Sequence, residues 1–335
     1  MSSATTQAVA VETTFAQAIN DALREELARD PTVFIIGEDV AEAGTPFKVL
    51  SGLVDEFGPE RVLDSPISEA GITGLGVGAA MTGMRPVVDI MFGDFLTLVM
   101  DQLANQAAKT HYMSGGKLTV PLTVRTTMGA TRRSAAQHSQ SLHAWLAHVP
   151  GLKVVLPSTP ADAKGLLKTA IRDDNPVVFI EDKMDYGVKG DVPEGEYTIP
   201  LGVADVKRAG EDVTIVATSS MVRVALAAGE QLEAEGISAE VVDPRTLVPL
   251  DRDALLRSVR KTGRAIVVDE GHRGYGASAE LAAEIAEGAF WSLDAPVRRL
   301  AALDVPIPFS PPLEDATVPT SDLVAQTARE LVRGD

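Results

Sequence analysis

Short, largely apolar runs recur along this chain, and helix-period segments separate them. VFIIG (Val33–Gly37), PVVDIMF (Pro86–Phe92), PLTVRTT (Pro121–Thr127), KVVLPS (Lys153–Ser158) and PVVFIED (Pro176–Asp182) have this form in the first half. DVTIVAT (Asp212–Thr218), AEVVDP (Ala239–Pro244) and RAIVVDE (Arg264–Glu270) repeat it in the second. A strand with one wet face alternates apolar and polar residues; a strand covered on both faces does not. Interleaved with helices such as FAQAINDALREELARD (Phe15–Asp30), such runs predict parallel sheets with helices on either side.

The rhythm breaks between Asp182 and Pro200, where Gly187, Gly190, Pro193, Gly195 and Pro200 stand among charges. The division expected is a flexible N-terminus over 1–12, a first α/β domain over 13–187, a linker over 188–204 and a second α/β domain over 205–335. The 335 residues suit two domains, and 45% apolar with 23% charged residues is a globular composition. The fold class expected is therefore α/β, two doubly wound domains.

The formal charge of -17 disfavours nucleic acid and anionic membrane as partners, and leaves room for a basic protein. There is no cysteine, so disulfides and thiolate chemistry are excluded. The polar start, MSSATTQAVAVETT, has neither an apolar signal core nor arginines, which reads as cytoplasmic. The most apolar stretch, Gly71–Gly83, is about 13 residues, short of the roughly 20 that cross a membrane.

Chemistry concentrates in two segments. In SPISEAGITGLGVGAAMTG, Ser68 caps a predicted helix and Glu69 is its only charge. A glutamate there complements the macrodipole, or serves a site at the helix mouth. Four glycines follow, each costing roughly 1 kcal/mol of helix propensity, so another backbone or a ligand is expected to approach closely. The G-x-G-x-G spacing of Gly74, Gly76 and Gly78 is no dinucleotide fingerprint. A long helix is expected from Asp94 to about Lys109. The second segment, AAQHSQS (Ala135–Ser141), sets His138 among hydrogen-bonding side chains. Glu69, Phe95 and His138 could line one pocket. The remaining histidines show no zinc-ligand spacing.

These segments, with GEDVA, DQLANQAAKTHYMSGG, PGLKVVLPSTPADAKGLLKTAIRDDNPVVFIE and VVDPRTLVPLD, resemble the β subunit of the E1 component of 2-oxo acid dehydrogenase complexes. The likeness runs from about Thr13 to the C-terminus. It implies a transketolase-type pyrimidine-binding domain, a transketolase-type C-terminal domain and thiamine diphosphate as cofactor. Glu69 matches the glutamate that hydrogen-bonds N1′ of the aminopyrimidine, and Phe95 the aromatic that stacks on it. His138 matches a histidine placed to stabilise the substrate carboxylate, to move protons or to assist acyl transfer to lipoamide. A structural potassium ion is implied on carbonyl oxygens at Leu122, Ala170, Ile171, Asp173 and Asn175.

The GDG-then-NN motif that binds Mg²⁺ and diphosphate is missing; GDF at Gly93 and GDV at Gly190 are poor substitutes. In the resembled family that motif lies on the α subunit. The chain is thus expected to supply half a site in an α2β2 heterotetramer with β–β contacts, serving a lipoyl-bearing E2. The activity implied is decarboxylation of a 2-oxo acid, or cleavage of acetoin, with reductive acylation of lipoyl-E2. A split transketolase-like carboligase and a non-catalytic scaffold are the alternatives. The sequence VRTTMGATRRSAAQHSQS departs from the usual glycine-rich approach to the histidine. Arg132 and Arg133 are candidates for contact with an acidic substrate or with the lipoyl domain.

Overall fold

The computed structural model describes residues 10–334. Two sheets carry the fold. The first has seven strands in the order Thr246–Val248, Lys153–Val155, Val177–Asp182, Thr123–Met128, Arg85–Ile90, Val33–Gly37, Val62–Asp64. All neighbours are parallel except the first pair. The second has five strands in the order Arg298–Ala302, Ala265–His272, Val213–Ala217, Ala239–Asp243, Asp205–Arg208, antiparallel only at the last.

Alternation within the apolar strands divides the first core in two. Val33, Ile35, Val87, Val177 and Phe179 face one layer, built on the helices Phe15–Arg29 and Pro160–Arg172. Phe34, Ile36, Val88, Ile90, Val124, Val178 and Ile180 face the other, with Ile72 and Val77 of the helix Glu69–Met81. The second sheet repeats the arrangement. This is the doubly wound α/β architecture expected from the apolar runs.

Three details differ from expectation. Residues 10–12, assigned to a flexible tail, lie in the strand Ala10–Thr14; residues 1–9 fall outside the described part. That strand pairs antiparallel with Lys189–Pro193, inside the segment read as linker. Two short polar stretches distant in sequence carry no apolar pattern, so only the tertiary fold brings them together. The long helix expected from Asp94 is broken. A 3₁₀ turn at Gly93–Leu98 gives way to a π-helical stretch at Asp101–Ala107 and an α-helix at Ala108–Met113. Asp94 is buried and accepts bonds from Gln140, which holds the turn outside the helical path.

The two halves also interlock. Thr246–Val248 returns from the second half to extend the first sheet. Beside it, Arg245 bonds Asp162 at 2.7 Å and Asp205 at 2.9 Å, and Lys207 bonds Asp162 and Asp205.

Candidate active site

In parallel sheets, ligands bind where loops leave the carboxyl ends of strands. Glu38 follows Val33–Gly37, the Glu69 helix follows Val62–Asp64, and Phe95 follows Arg85–Ile90. The His138 loop follows Thr123–Met128, and Lys183 follows Val177–Asp182. All five residues stand on one edge of one sheet.

Glu69 opens its helix and is only 8% exposed. Among the described residues, no hydrogen-bond donor and no cation pairs with its carboxylate. Ser68 holds the N-cap position without a side-chain cap bond; its N–H instead donates to Glu38 Oε1 at 3.2 Å. Burial first, and the charge of Glu69 second, push the Glu38 carboxyl above its ordinary pKa. Two carboxylates thus meet at the positive end of a helix, and one of them lacks a donor.

Phe95 and His138 come together, as the sequence reading supposed. Their ring centroids are 5.4 Å apart and nearly perpendicular. Phe92 stands 4.6 Å from His138 and 6.1 Å from Phe95. Asp94 secures the pairing by accepting from Gln140 N at 3.3 Å and Nε2 at 2.9 Å, which ties the Phe95 turn to the His138 loop. The Glu69 helix packs beside the Phe95 turn, and Ile72 and Leu96 share one core. Side-chain contact between Glu69 and His138 is not made.

Several residues of this region escaped the sequence reading. Phe47 lies 5.9 Å from Phe92 and 5.1 Å from Tyr186, extending the aromatic cluster. Beneath it Arg125 is fully buried, bonded to Asp89 and, through Nε at 2.6 Å, to Glu181. Tyr186 donates to Glu181 at 2.7 Å. A charged residue inside an apolar strand, as in PLTVRTT, was the available signal. Lys183, just past a strand end, is buried and donates to the carbonyl of His138.

The two arginines part company. Arg133 is spent within the chain, on Glu314 and Asp315, both at 2.7 Å. Arg132 is exposed, lies 5.5 Å over the Phe47 ring and donates to the Lys183 carbonyl at 3.2 Å. Next to the His138 loop, a cleft of about 430 Å³ is bordered by Ala136 and Gln140 on one side and His272, Asp304 and Pro306 on the other.

The five positions proposed for potassium do gather at one corner of the first sheet. The carbonyls of Ile171 and Asp173 both accept from Arg85 Nη1, at 3.1 and 3.0 Å. Those of Leu122 and Ala170 accept backbone N–H groups from Val177 and Asp173, and Asn175 donates its side-chain amide to Asp173 at 3.0 Å. Carbonyl oxygens suit a hard cation, but the cation on two of them is a guanidinium. The arrangement does not fit a second cation there unless Arg85 moves away.

Comparison with known proteins agrees with this geometry. The family described as Transketolase, pyrimidine binding domain matches residues 11–189, and Transketolase, C-terminal domain matches residues 202–324. The β subunit of acetoin:2,6-dichlorophenolindophenol oxidoreductase from Bacillus subtilis is 51% identical over 327 residues, covering 94% of this chain and 96% of that protein. The chain belongs to the E1 β-subunit family. Other E1 β subunits span different substrates. A pyruvate dehydrogenase E1 β subunit from Oryza sativa is 47% identical, with 97% of this chain and 88% of that protein covered. The 2-oxoisovalerate dehydrogenase β subunit of Bacillus subtilis is 46% identical, with 95% and 98% covered. A solved structure entitled "Split gene transketolase, inactive beta4 tetramer" has the same fold, with a TM-score of 0.78 at 24% identity over 98% of this chain and 99% of that one. Among the described residues, no helix is long and apolar enough to cross a membrane.

Proposed function

We propose that this E1 β subunit supplies the pyrimidine-side half of a thiamine-diphosphate site, with Glu69, Phe95 and His138 in the working roles. The observation that carries the reading is Glu69: a largely buried residue whose carboxylate has no donor among the described residues, at a helix mouth on the carboxyl edge of a pyrimidine-binding domain. A carboxylate with no partner in its own chain keeps its lone pairs free to pair with a ring nitrogen that carries or shares a proton. The residues present fit that group.

Thiamine diphosphate, when bound, supplies the carbanion chemistry that breaks the bond beside the substrate carbonyl. Glu69 holds a proton at the aminopyrimidine N1′ position. Phe95 offers a ring face to the aminopyrimidine. His138, fixed beside Phe95 and Phe92, moves protons or assists acyl transfer to lipoamide at the substrate end.

The domains extend over 13–187 and 205–335, and the joining segment 188–204 opens with the strand Lys189–Pro193 that pairs back onto Ala10–Thr14. Mg²⁺ and diphosphate are assigned to an α subunit, because this chain lacks the motif for them. The assembly is an α2β2 heterotetramer in the cytoplasm, with β–β contacts and a lipoyl-bearing E2 as acceptor. The exposed side of the Glu69 helix supports subunit contact: Ala70, Gly71, Gly74, Leu75, Gly78 and Met81 present small and apolar groups with no polar side chain.

The test is co-expression with the neighbouring α-type subunit, followed by thiamine-diphosphate-dependent dye reduction on pyruvate, acetoin and branched 2-oxo acids. Activity that needs both chains is the expected result and names the substrate. A cofactor-loaded complex that is silent on all of them, yet condenses two carbonyl compounds, supports the carboligase alternative. A complex inert in both assays supports the scaffold.

A further inference from the structure

The His138 loop is not self-supporting. Thr131, Arg133 and Ala135 all have positive φ, at 67°, 58° and 58°. Side chains with a Cβ rarely adopt that conformation, because the Cβ crowds the backbone there. Glycines would hold this path at little cost, but Thr131, Arg133 and Ala135 stand there. Something outside the loop must therefore hold it.

Two anchors do so. On the side of the second half, Arg133 N and Nη1 both bond the carboxylate of Glu314, whose side chain is fully buried. On the first-sheet side stands Lys183, 1% exposed. Its ammonium donates to the His138 carbonyl, and its own carbonyl accepts from Arg132 Nη1. The bonds run both ways between Lys183 and the loop. The same ammonium lies 5.7 Å over the ring of Phe92, which touches the His138 imidazole edge to face. Backbone and ring of His138 are thus set against one cation. Burial pushes the lysine pKa down, opposed by the carboxylates of Asp182, Asp94, Glu270 and Glu314.

We propose that Lys183 is the positioning residue for His138: its buried ammonium fixes the histidine carbonyl and, through Phe92, the seat of the imidazole, so that turnover depends on Lys183 only by way of His138. This rests on the role assigned to His138 above. The mechanism has a general basis, since a displacement of about 1 Å of a reacting group can cost roughly 10²-fold in rate.

A double-mutant cycle in the reconstituted holoenzyme tests it. Lys183→Met, Lys183→Arg, His138→Ala and the double variant H138A/K183M are assayed by dye reduction with the best of pyruvate, acetoin and 3-methyl-2-oxobutanoate. Thiamine-diphosphate affinity is measured alongside. Expected are a fall in kcat of roughly 10²-fold for K183M, with cofactor affinity held, and recovery of most of the loss in K183R. In the H138A background K183M costs less than about twofold more, because coupled residues are not additive. Additive losses, or a fully active K183M, overturn the inference while leaving His138 in its role. An active H138A overturns both. Should K183M not assemble, Lys183→Gln carries the same cycle.

Discussion

Glu69 is valuable to the site for what it lacks. The residue is largely buried, the Glu38 carboxylate stands nearby, and no donor pairs with it among the described residues. Glu69→Gln keeps the shape and loses the shareable proton. In the assembled enzyme it is expected to lower turnover roughly 10²–10⁴-fold. Steady-state kinetics with saturating cofactor checks this, and near-normal turnover removes Glu69 from its role. His138→Ala is expected to depress turnover while the cofactor still binds, if the ring serves the substrate end as proposed. Cofactor titration beside the rate measurement separates the two; loss of folding would mark His138 as structural instead.

The Glu69 helix has two apolar faces that meet different things. On the inner face, a Cβ at Gly76 would come within 2.5 Å of Val88 and 3.2 Å of Leu122. Gly76→Ala is expected to destabilise the folded chain by about 1–3 kcal/mol through overpacking, read from denaturant unfolding. On the outer face a Cβ at Gly78 would meet nothing within 4 Å. Gly78→Ala is then expected to stabilise the isolated chain by about 0.5–1 kcal/mol through helix propensity. If a subunit covers that face, the same change weakens α–β or β–β assembly, which sedimentation velocity of the mixed subunits reports. A gain in chain stability with unchanged assembly would place the interface elsewhere.

Across the whole molecule, buried carboxylates collect where the two halves meet. Asp185 bonds Arg223 of the second half at 2.9 Å, and its pKa is pushed up to about 7 by burial first and Asp182 second. Asp243 is likewise pushed up to about 7 by burial first and Asp162 second. Unfolded, both return to the ordinary aspartate value of about 4. The folded state therefore holds more protons between those limits. Their contribution to stability is full below about pH 4 and is lost as pH rises through about 7. The melting temperature should fall across that window, and Asp185→Asn should flatten the fall. The groups with lowered pKa, such as Asp269 beside His143, act at the acid end and lie outside this window. A melting profile flat from pH 4.5 to 7.5 would contradict the assignment.

The sequence alone determined the sheet class, because strands covered on both faces are largely apolar without alternation, as in VFIIG and DVTIVAT. It also marked Glu69, whose isolation in a glycine-rich helix is a local property, and His138, whose polar neighbours are adjacent in the chain. The tertiary structure alone decided what these residues touch. The strand Thr246–Val248 crossing back to the first sheet, and Ala10–Thr14 pairing with Lys189–Pro193, depend on contacts far apart in sequence that leave no periodic trace. Arg132 and Arg133 were indistinguishable as neighbours until Glu314 and Asp315 claimed one and Phe47 the other. Lys183 carries no local sign of its place, and only folding buried it under the histidine loop. Local pattern records which face of an element is apolar; which buried charge meets which backbone group is fixed by closure of the whole chain.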